Sequence, residues 1–448
     1  MDTIFNGIMT GFEFLTDAGP TVMLPIIITI IGMIFRLEIA KAFKSGLTLA
    51  IGFTGIRLVL NFMTDNIGPA AEAMVENTGV QLDVLDVGWG SIAAVTWASP
   101  IIAVLVFGIL ATNIIMLVLR RTNTLNVDIW NYHHMATVGV MTYFVTQNIF
   151  LGVASTIVMA IFTFKLADWS QPMVEDFFGI PGVTVPTVSA LSTLVIAWPV
   201  NWLLNRIPFI RDSEFTLDSA QKYLGFFGDQ TIIGMLLGFG FGFFAGYDLT
   251  SVLQLGVSMA AVLVFLPRMT SLFVEGLMPI SDAAQKWSQE KFKGRNLFIG
   301  LDAAIVVGNQ DVITIALVII PITLLLALVL PGNRVMPFAD LAVLTFRVAM
   351  VVALTRGNVL KSLITGTFVS ITLLYAGTIT APVLTEVATS IGLDLGHGLI
   401  TTLAGTSMIQ SFLVFKAFAE NPMIGVPILA VGYGIYWYFL EYKKKAVA

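Results

Sequence analysis

The sequence predicts an all-α polytopic membrane protein, and three observations lead to that fold class. Hydrophobic residues make up 57% of the 448 positions, charged residues make up 11%, and the mean hydropathy is +0.89. A soluble domain carries about 25% charged residues, so this chain has too few to cover a water-facing surface. Apolar runs close to the ~20 residues that span a bilayer recur along the whole chain. They lie at 21–35, 101–119, 150–164, 312–330 and 424–440.

Several classes of function are excluded by composition. The chain has no cysteine, which excludes disulfides, thiolate metal sites and a cysteine nucleophile. The histidines are His133, His134 and His397, too few for a histidine metal cage, and no cofactor is expected. The net charge of −5 does not indicate a nucleic-acid partner, because the basic residues lie in loops. A membrane enzyme is disfavoured, since no zincin helix, nucleophile elbow or phosphate loop occurs.

Loop charge predicts the orientation in the membrane. No Lys or Arg occurs between Arg57 and Arg120, and the stretch 63–90 in that interval is acidic. Basic residues instead crowd three loops and the tail, at 36–44, 120–126, 268–297 and 443–445. The positive-inside rule places these basic segments in the cytoplasm and 63–90 outside. The N-terminus is then outside and the C-terminus inside, with about eleven crossings between them.

An internal repeat is predicted from a shift of roughly 210 positions, which brings glycine-rich apolar segments of the two halves into register. The basic loop 36–44 then aligns with 246–250, which has no Lys or Arg. Opposite loop charge is expected of an inverted-topology repeat, although two glycine-rich apolar stretches can also align by chance. The predicted organisation is a first half at 1–225, a second half at 226–420, and a final transmembrane helix with a basic tail at 421–448.

Two broken segments at matching places of the halves point to a substrate site. The loop charges require the segment 181–199, with its three prolines, to enter the membrane and return without crossing. Its counterpart is 396–415, rich in Thr, Ser and Gly. Non-helical backbone at that depth is tolerated only where it lines protein or water, so paired re-entrant segments predict a site at the membrane midplane.

The densest polar cluster runs from Asn126 to His134, at the edge of an apolar helix. Burying such groups beside lipid costs several kcal/mol unless they find partners. Asn131 lies three residues after Asp128, and His134 three after Asn131, so neighbours can touch along one helix side. Asp128 could equally cap that helix.

This cluster resembles a known family. Val127-Asp128-Ile129-Trp130-Asn131 followed by His134 is similar to the signature of the galactitol-specific enzyme IIC family of the bacterial phosphotransferase system. Further similar stretches follow in colinear order at 19–25, 46–56, 84–89, 266–269, 300–304 and 331–342.

The resemblance implies a homodimeric carrier in the bacterial cytoplasmic membrane, related to the ascorbate-type branch. It implies a substrate-holding core domain, a second domain that makes the dimer contact, and an elevator-like or rocking motion. The sugar alcohol would be phosphorylated by a cytoplasmic IIB partner carrying phosphocysteine, which works with a IIA subunit. One departure is Pro186-Thr187, where the family pattern has Pro-His; this opens a pentitol as an alternative to galactitol.

The predicted substrate-binding residues come from both halves of the chain. They are Asp86, Trp89, Asp128, Trp130, Asn131, His134, Thr187, Asp302, Asn309 and Asp340. Trp89 could instead belong to the aromatic belt at the membrane interface, and Asp340 could only cap its helix. The predicted function is translocation of a sugar alcohol. An ion-coupled secondary transporter that uses Asp128 or Asp302 as a proton or sodium site is the alternative.

Overall fold

The fold is known from a computed structural model and is mostly helical. The structure describes residues 19–78, 82–97, 99–128, 131–213, 230–291, 297–337, 339–341, 343–391 and 398–442. Within these ranges, four helices are long and apolar enough to cross a membrane: Ile149–Phe178, Gln310–Val329, Val359–Ser390 and Pro422–Glu441. Several apolar helices are therefore consistent with a membrane protein, and the count of about eleven crossings stays a prediction.

The described elements before residue 226 begin with two helices and continue through three short strands. They are α1 (Gly19–Ile34), α2 (Ile39–Thr78), β1 (Val84–Asp86), α3 (Gly88–Trp97), α4 (Ile102–Val118), β2 (Thr124–Asn126), α5 (Tyr132–Thr146), α6 (Ile149–Phe178), β3 (Val183–Thr184), α7 (Val188–Leu191), α8 (Leu194–Leu204) and α9 (Pro208–Arg211).

The elements after residue 226 follow the same order. They are α10 (Gln230–Phe244), α11 (Leu249–Lys291), β4 (Phe298–Gly300), α12 (Ala304–Val307), α13 (Gln310–Val329), β5 (Val335–Met336), α14 (Leu344–Leu354), α15 (Val359–Ser390), β6 (Leu399–Thr401), a 3₁₀ turn (Gly405–Ser407), α16 (Ile409–Ala419) and α17 (Pro422–Trp437), which ends in a π turn (Tyr438–Tyr442). From α10 to α16, each element corresponds to one between α1 and α8.

Three of the long helices start at an asparagine cap. Asn148 accepts hydrogen bonds from the N–H groups of Phe150 (2.9 Å) and Leu151 (3.3 Å) at the start of α6. Asn309 and Asn358 do the same for α13 and α15. Each cap satisfies N–H groups that the first helical turn leaves without a partner, which fixes where the helix begins.

Two groups of helices can be distinguished by their packing. The helices α1, α2, α10 and α11 pack mainly against one another, with α2 and α11 side by side. The remaining helices surround the strands, and α10, α11 and α2 contact them through α12, α13 and β4.

The strands form two parallel three-stranded sheets that join the two halves of the chain. In one sheet β1 lies between β5 and β6, and in the other β4 lies between β2 and β3. Each central strand thus comes from one half, and both of its neighbours come from the other. Every strand pair in the described residues is a contact between the halves.

Glycine at the centre of the second sheet allows this close packing. A Cβ atom at Gly300 would lie 2.9 Å from Pro186 Cγ, 2.9 Å from Thr124 Cγ2 and 3.0 Å from Asn126 Cα. Real Cβ atoms do not approach their neighbours so closely, so β4 can lie between β2 and the segment after β3 only with glycine here.

Candidate functional site

Polar residues gather where the parallel strands end, because the carboxyl ends of parallel strands meet at one edge of a sheet. We call the residues at or just after the ends of β1, β5 and β6 junction A, and those at or just after the ends of β2, β3 and β4 junction B. Junction A consists of Asp86, Trp89, Asp340, Thr402 and Ala404. Junction B consists of Asn126, Asp128, Asn131, Thr187, Asp302, Ala303 and Ala304.

Junction A is organised around the carboxylate of Asp340, which is fully buried. Its Oδ1 accepts a hydrogen bond from the N–H of Trp89 at 3.0 Å. Its Oδ2 accepts from the N–H of Ala404 at 3.0 Å and from the Thr402 hydroxyl. Asp340 therefore holds together the segments that follow all three strands of the first sheet.

Two further side chains complete junction A. Asp86, also fully buried, accepts from the N–H of Gly88 through Oδ1 (3.1 Å) and from the N–H of Asp340 through Oδ2 (2.9 Å). Arg347 on α14 is 2% exposed, and its Nη2 lies 3.5 Å from Asp340 Oδ2. The Arg347 Nε also donates to the carbonyl of Leu403 at 3.3 Å. The negative charge of Asp340 is thus compensated by a buried cation.

Junction B brings two carboxylates to one amide. The Nδ2 of Asn131 donates to Asp128 Oδ2 at 2.7 Å, and the same side chain hydrogen-bonds Asp302. The N–H of Asp128 donates to Asn126 Oδ1 at 3.1 Å. Helix α5 begins at Tyr132, after Asn131 as its N-cap residue, so Asp128 lies in the loop before the helix rather than at its cap position.

The segment 181–199, which the sequence predicts to be re-entrant, contributes Thr187 to junction B. Its hydroxyl accepts a hydrogen bond from the N–H of Ala303 at 2.9 Å, and the residue is 2% exposed. Asp302 is half-buried, and its Oδ1 accepts from the N–H of Ala304 at 3.0 Å. Thr187 and Asp302, which are 115 positions apart in the numbering, therefore belong to one hydrogen-bonded loop pair.

The histidines at the start of α5 link the two junctions. The ring of Trp89 is stacked on that of His133 at a centroid distance of 6.2 Å, and His133 is 4.1 Å from His134. A Cβ atom at Gly405 would lie 3.3 Å from Nδ1 of His134, and Gly405 has a φ of +43°. The second segment predicted to be re-entrant thus passes close to His134 at Gly405, and glycine keeps room between them.

Most of the residues predicted from the sequence are brought together at the two junctions. Asn309 is an exception, because its side chain caps α13 by accepting from the N–H groups of Asp311 (2.9 Å) and Val312 (3.3 Å). Trp130 and His397 lie outside the residues that the structure describes.

Sequence reasoning missed Arg347, the largest fully buried side chain among those described. A signal was present, since Arg347 is the one charged residue in α14, Leu344–Leu354, an otherwise apolar helix. An ionisable residue within a membrane helix is by default a functional or paired group. Its partner, Asp340, could not be read from sequence spacing because it precedes the helix in a separate loop.

Two clefts lie away from both junctions. One, of about 500 Å³, lies between α16 and α17 and has an almost entirely apolar lining. Another, of about 680 Å³, lies at the ends of α6, α14 and the π turn, beside Trp169, Trp198 and Arg356. Neither of these two clefts contains a residue of junction A or B.

Apolar helices around a buried polar centre, to which both halves of the chain contribute, are the arrangement of a membrane carrier. Comparisons with known proteins identify the family of carriers. The family described as the PTS system sugar-specific permease component, EIIC-GAT, matches residues 13–398. The chain belongs to this family of phosphotransferase-system (PTS) membrane components.

Curated relatives cover nearly the whole chain. The "PTS system galactitol-specific EIIC component" of Escherichia coli (strain K12) is 37% identical over 421 residues, which is 94% of this chain and 93% of the relative. The protein of the same description from Escherichia coli O157:H7 gives the same values. A "Putative permease IIC component" of strain K12 is 40% identical over 377 residues, 84% of this chain and 86% of the relative.

Proposed function

We propose that this chain carries a sugar alcohol, galactitol or a related polyol, across the bacterial cytoplasmic membrane for phosphorylation by a IIB partner. The observation that carries the proposal is junction B, where Asp128, Asn131 and Asp302 from both halves of the chain converge. The galactitol-specific description of a relative 37% identical over 94% of the chain supports the substrate class.

The chemistry of the junctions suits a polyol. Each hydroxyl is both donor and acceptor, so a site must supply groups of both kinds at fixed spacing. Asp302 offers acceptor oxygens, Asn131 an amide, and His134 an imidazole beside Gly405. The ring of Trp89, held on His133, offers an apolar wall for the carbon chain. Trp130 is proposed to supply a second apolar surface for the carbon chain.

Three of the predicted binding residues receive a positioning role in this proposal. Both oxygens of Asp86 and both of Asp340 are occupied by donors from the protein, and neither residue is exposed. Asn309 caps α13. Asp86 and Asp340 hold Trp89 and the second re-entrant segment in place, and a polyol could reach them only by displacing these bonds.

The proposed architecture has an inverted repeat of 1–225 and 226–420, followed by the final helix and tail at 421–448. The matching order of elements in the two halves supports the repeat. We also propose that α1, α2, α10 and α11 form the domain that makes the homodimer contact, because these helices pack mainly against each other.

Transport requires the junctions to open, because Asp128 is 8% exposed and His134 is 4% exposed. An elevator-like or rocking movement of the strand-containing part against α1, α2, α10 and α11 would give a polyol access from each side in turn.

Proteoliposomes test the function. Vesicles holding this chain alone should bind and slowly exchange radiolabelled galactitol without concentrating it, because the chain has no cysteine that could carry a phosphoryl group. Adding phosphorylated IIB with IIA to the cytoplasmic face should produce the polyol phosphate and drive uptake. Accumulation driven by a proton or sodium gradient, with no phosphodonor present, would support the ion-coupled transporter and overturn the proposal.

A further inference from the structure

We propose that the two carboxylates of junction B share a single proton, which resides on Asp128, and that the resulting carboxylic acid donates a hydrogen bond to the bound polyol while Asp302 accepts one. This inference rests on the proposed function for the identity of the ligand. The protonation itself follows from the geometry of the two carboxylates and their surroundings.

Junction B brings two groups of like charge, the carboxylates of Asp128 and Asp302, close together. Asn131 hydrogen-bonds both Asp128 and Asp302, and the charge of Asp302 acts directly on Asp128. Among the described residues, no Lys or Arg forms an ion pair with either carboxylate. Two carboxylates that share a buried site cannot both ionise without a large cost, so such a pair retains one proton and titrates as a unit.

Junction A differs from junction B in how the charge of its carboxylates is compensated. Asp340 follows β5 as Asp128 follows β2, so the two carboxylates hold corresponding places in the two sheets. Asp340 is paired with Arg347, a buried cation. In helix α5, the place that corresponds to Arg347 is held by Met135, since Tyr132 and Leu344 begin the two helices. The two carboxylates of junction A, Asp86 and Asp340, are therefore accompanied by one positive charge, and the two of junction B need one proton to reach the same net charge.

Exposure to solvent decides which carboxylate holds the proton. Asp302 receives hydrogen bonds from the N–H of Ala304 and from Asn131, while the N–H of Ala303 donates to Thr187. Among the described residues, the donors to Asp128 are the side chain and the N–H of Asn131. Asp302 is half-buried and Asp128 is 8% exposed. Solvent favours the ionised form, so the negative charge resides on Asp302.

The other titratable groups near the pair do not supply a counter-charge. Tyr132 on α5 faces Asp128 and donates its hydroxyl to the carbonyl of Asn126 at 3.0 Å. His134 on the same helix faces His133 and Arg347. Lys165 on α6 is engaged with Asp168 and Glu441. Helix α11 packs against β4 and α12, and its described charged side chains are exposed: Arg268, Glu275, Asp282 and Lys286.

With Asp128 protonated, junction B offers a polyol both a hydrogen-bond donor and a hydrogen-bond acceptor. A hydroxyl that donates to Asp302 can accept, through its own oxygen, from a neighbouring donor. The amide of Asn131 is already committed to the two carboxylates, so the O–H of Asp128 is the donor that junction B adds. Loss of that proton would turn the donor into a second negative acceptor and weaken binding.

Infrared spectroscopy tests the protonation without any polyol. Purified protein labelled with ¹³C in the carboxyl groups of aspartate should show, at neutral pH, the C=O stretch of a protonated carboxylic acid. The band should be absent in Asp128→Asn. It should persist in Asp302→Asn, because burial, the larger cause of the protonation of Asp128, is unchanged there. A wild-type spectrum without this band at neutral pH overturns the proposal, and this result does not depend on whether galactitol is the substrate.

Calorimetry with galactitol then tests the role of the proton in binding. Asp302→Asn should bind galactitol at least about fivefold more weakly than wild type, because a carboxylate acceptor is lost. Wild-type affinity should fall as the pH is raised. Asp128→Asn, whose amide imitates a neutral carboxylic acid, should show no such fall. His134→Gln should keep the pH dependence. A fall in affinity with pH that persists in Asp128→Asn, or a pH dependence that disappears in His134→Gln alone, would show that Asp128 is not the proton carrier.

Discussion

The hydroxyl of Thr187 accepts a hydrogen bond from the backbone N–H of Ala303 at 2.9 Å, which ties the segment 181–199 to the loop that carries Asp302. This bond joins the two halves of the chain, since Thr187 follows β3 and Ala303 follows β4. The residue at position 187 therefore helps to set where Asp302 lies relative to Asp128 and Asn131.

Substitution of Thr187 should change which polyol is preferred. Thr187→His keeps a side-chain acceptor for Ala303 but brings a larger ring into a site that is 2% exposed in the wild type. We expect the ranking among hexitols and pentitols to shift while binding to at least one polyol persists. Thr187→Val, which has no acceptor, should weaken binding of all polyols, with about 0.5–1.5 kcal/mol lost. Calorimetry with a panel of polyols measures both; an unchanged ranking in Thr187→His would contradict the prediction.

The polar groups of the junctions should matter individually for affinity. Each buried contact that is lost leaves an unsatisfied partner and costs about 1–3 kcal/mol. His134→Ala and Asp302→Asn should therefore weaken polyol binding by roughly 5- to 150-fold. Asp212→Asn removes an exposed carboxylate far along the chain, and serves as the matched control with unchanged affinity. Near wild-type affinity in both His134→Ala and Asp302→Asn would place the site elsewhere.

The buried ion pair of junction A should contribute to stability. Arg347→Met removes the cation 3.5 Å from Asp340 and leaves a buried carboxylate uncompensated. Breaking one partner of a buried pair costs about 3–5 kcal/mol. The thermal midpoint in detergent should fall markedly for Arg347→Met and recover in part when Asp340→Asn is added. The control Arg211→Met, which breaks an exposed pair with Asp212, should leave the midpoint almost unchanged. A midpoint for Arg347→Met that equals the control would rule out this role.

The predicted orientation can be tested by labelling single cysteines, because the chain has none of its own. Gln147, between α5 and α6, and Asp212, after α9, are both exposed. With the C-terminus in the cytoplasm, a cysteine at position 147 should react with a membrane-impermeant maleimide from outside, and one at 212 only from the cytoplasmic side. The opposite labelling pattern would mean that the chain has the inverse of the predicted orientation in the membrane.

Much of the candidate site could be predicted from sequence because buried polar residues stand out in an apolar chain. Asp128, Asn131 and Asp302 are predicted for this reason, and Thr187 is predicted from its place in the family pattern. The structure brings all four to one junction. The family match confirms the resemblance itself.

The partners of these residues could not be predicted. Asp340 looked like a helix cap, yet its carboxylate binds the N–H groups of Trp89 and Ala404, which lie far away in sequence. Strands of two or three residues leave no periodic pattern, so the two parallel sheets were not foreseen. Without the sheets, no sequence signal shows that Trp89, Thr402 and Ala404 all donate hydrogen bonds to the carboxylate of Asp340.

The exchange of strands between the halves has a consequence for how the protein is made. The strands β1, β2 and β3 leave the ribosome first, but none of them pairs with another. The second sheet cannot close until β4 has been translated, and the first waits for β6, near the end of the chain. Contacts between such distant segments form late and slowly. During insertion, the polar ends of the early strands must therefore be held by other partners, and a chain cut between the halves should complete neither sheet unless the missing half is supplied.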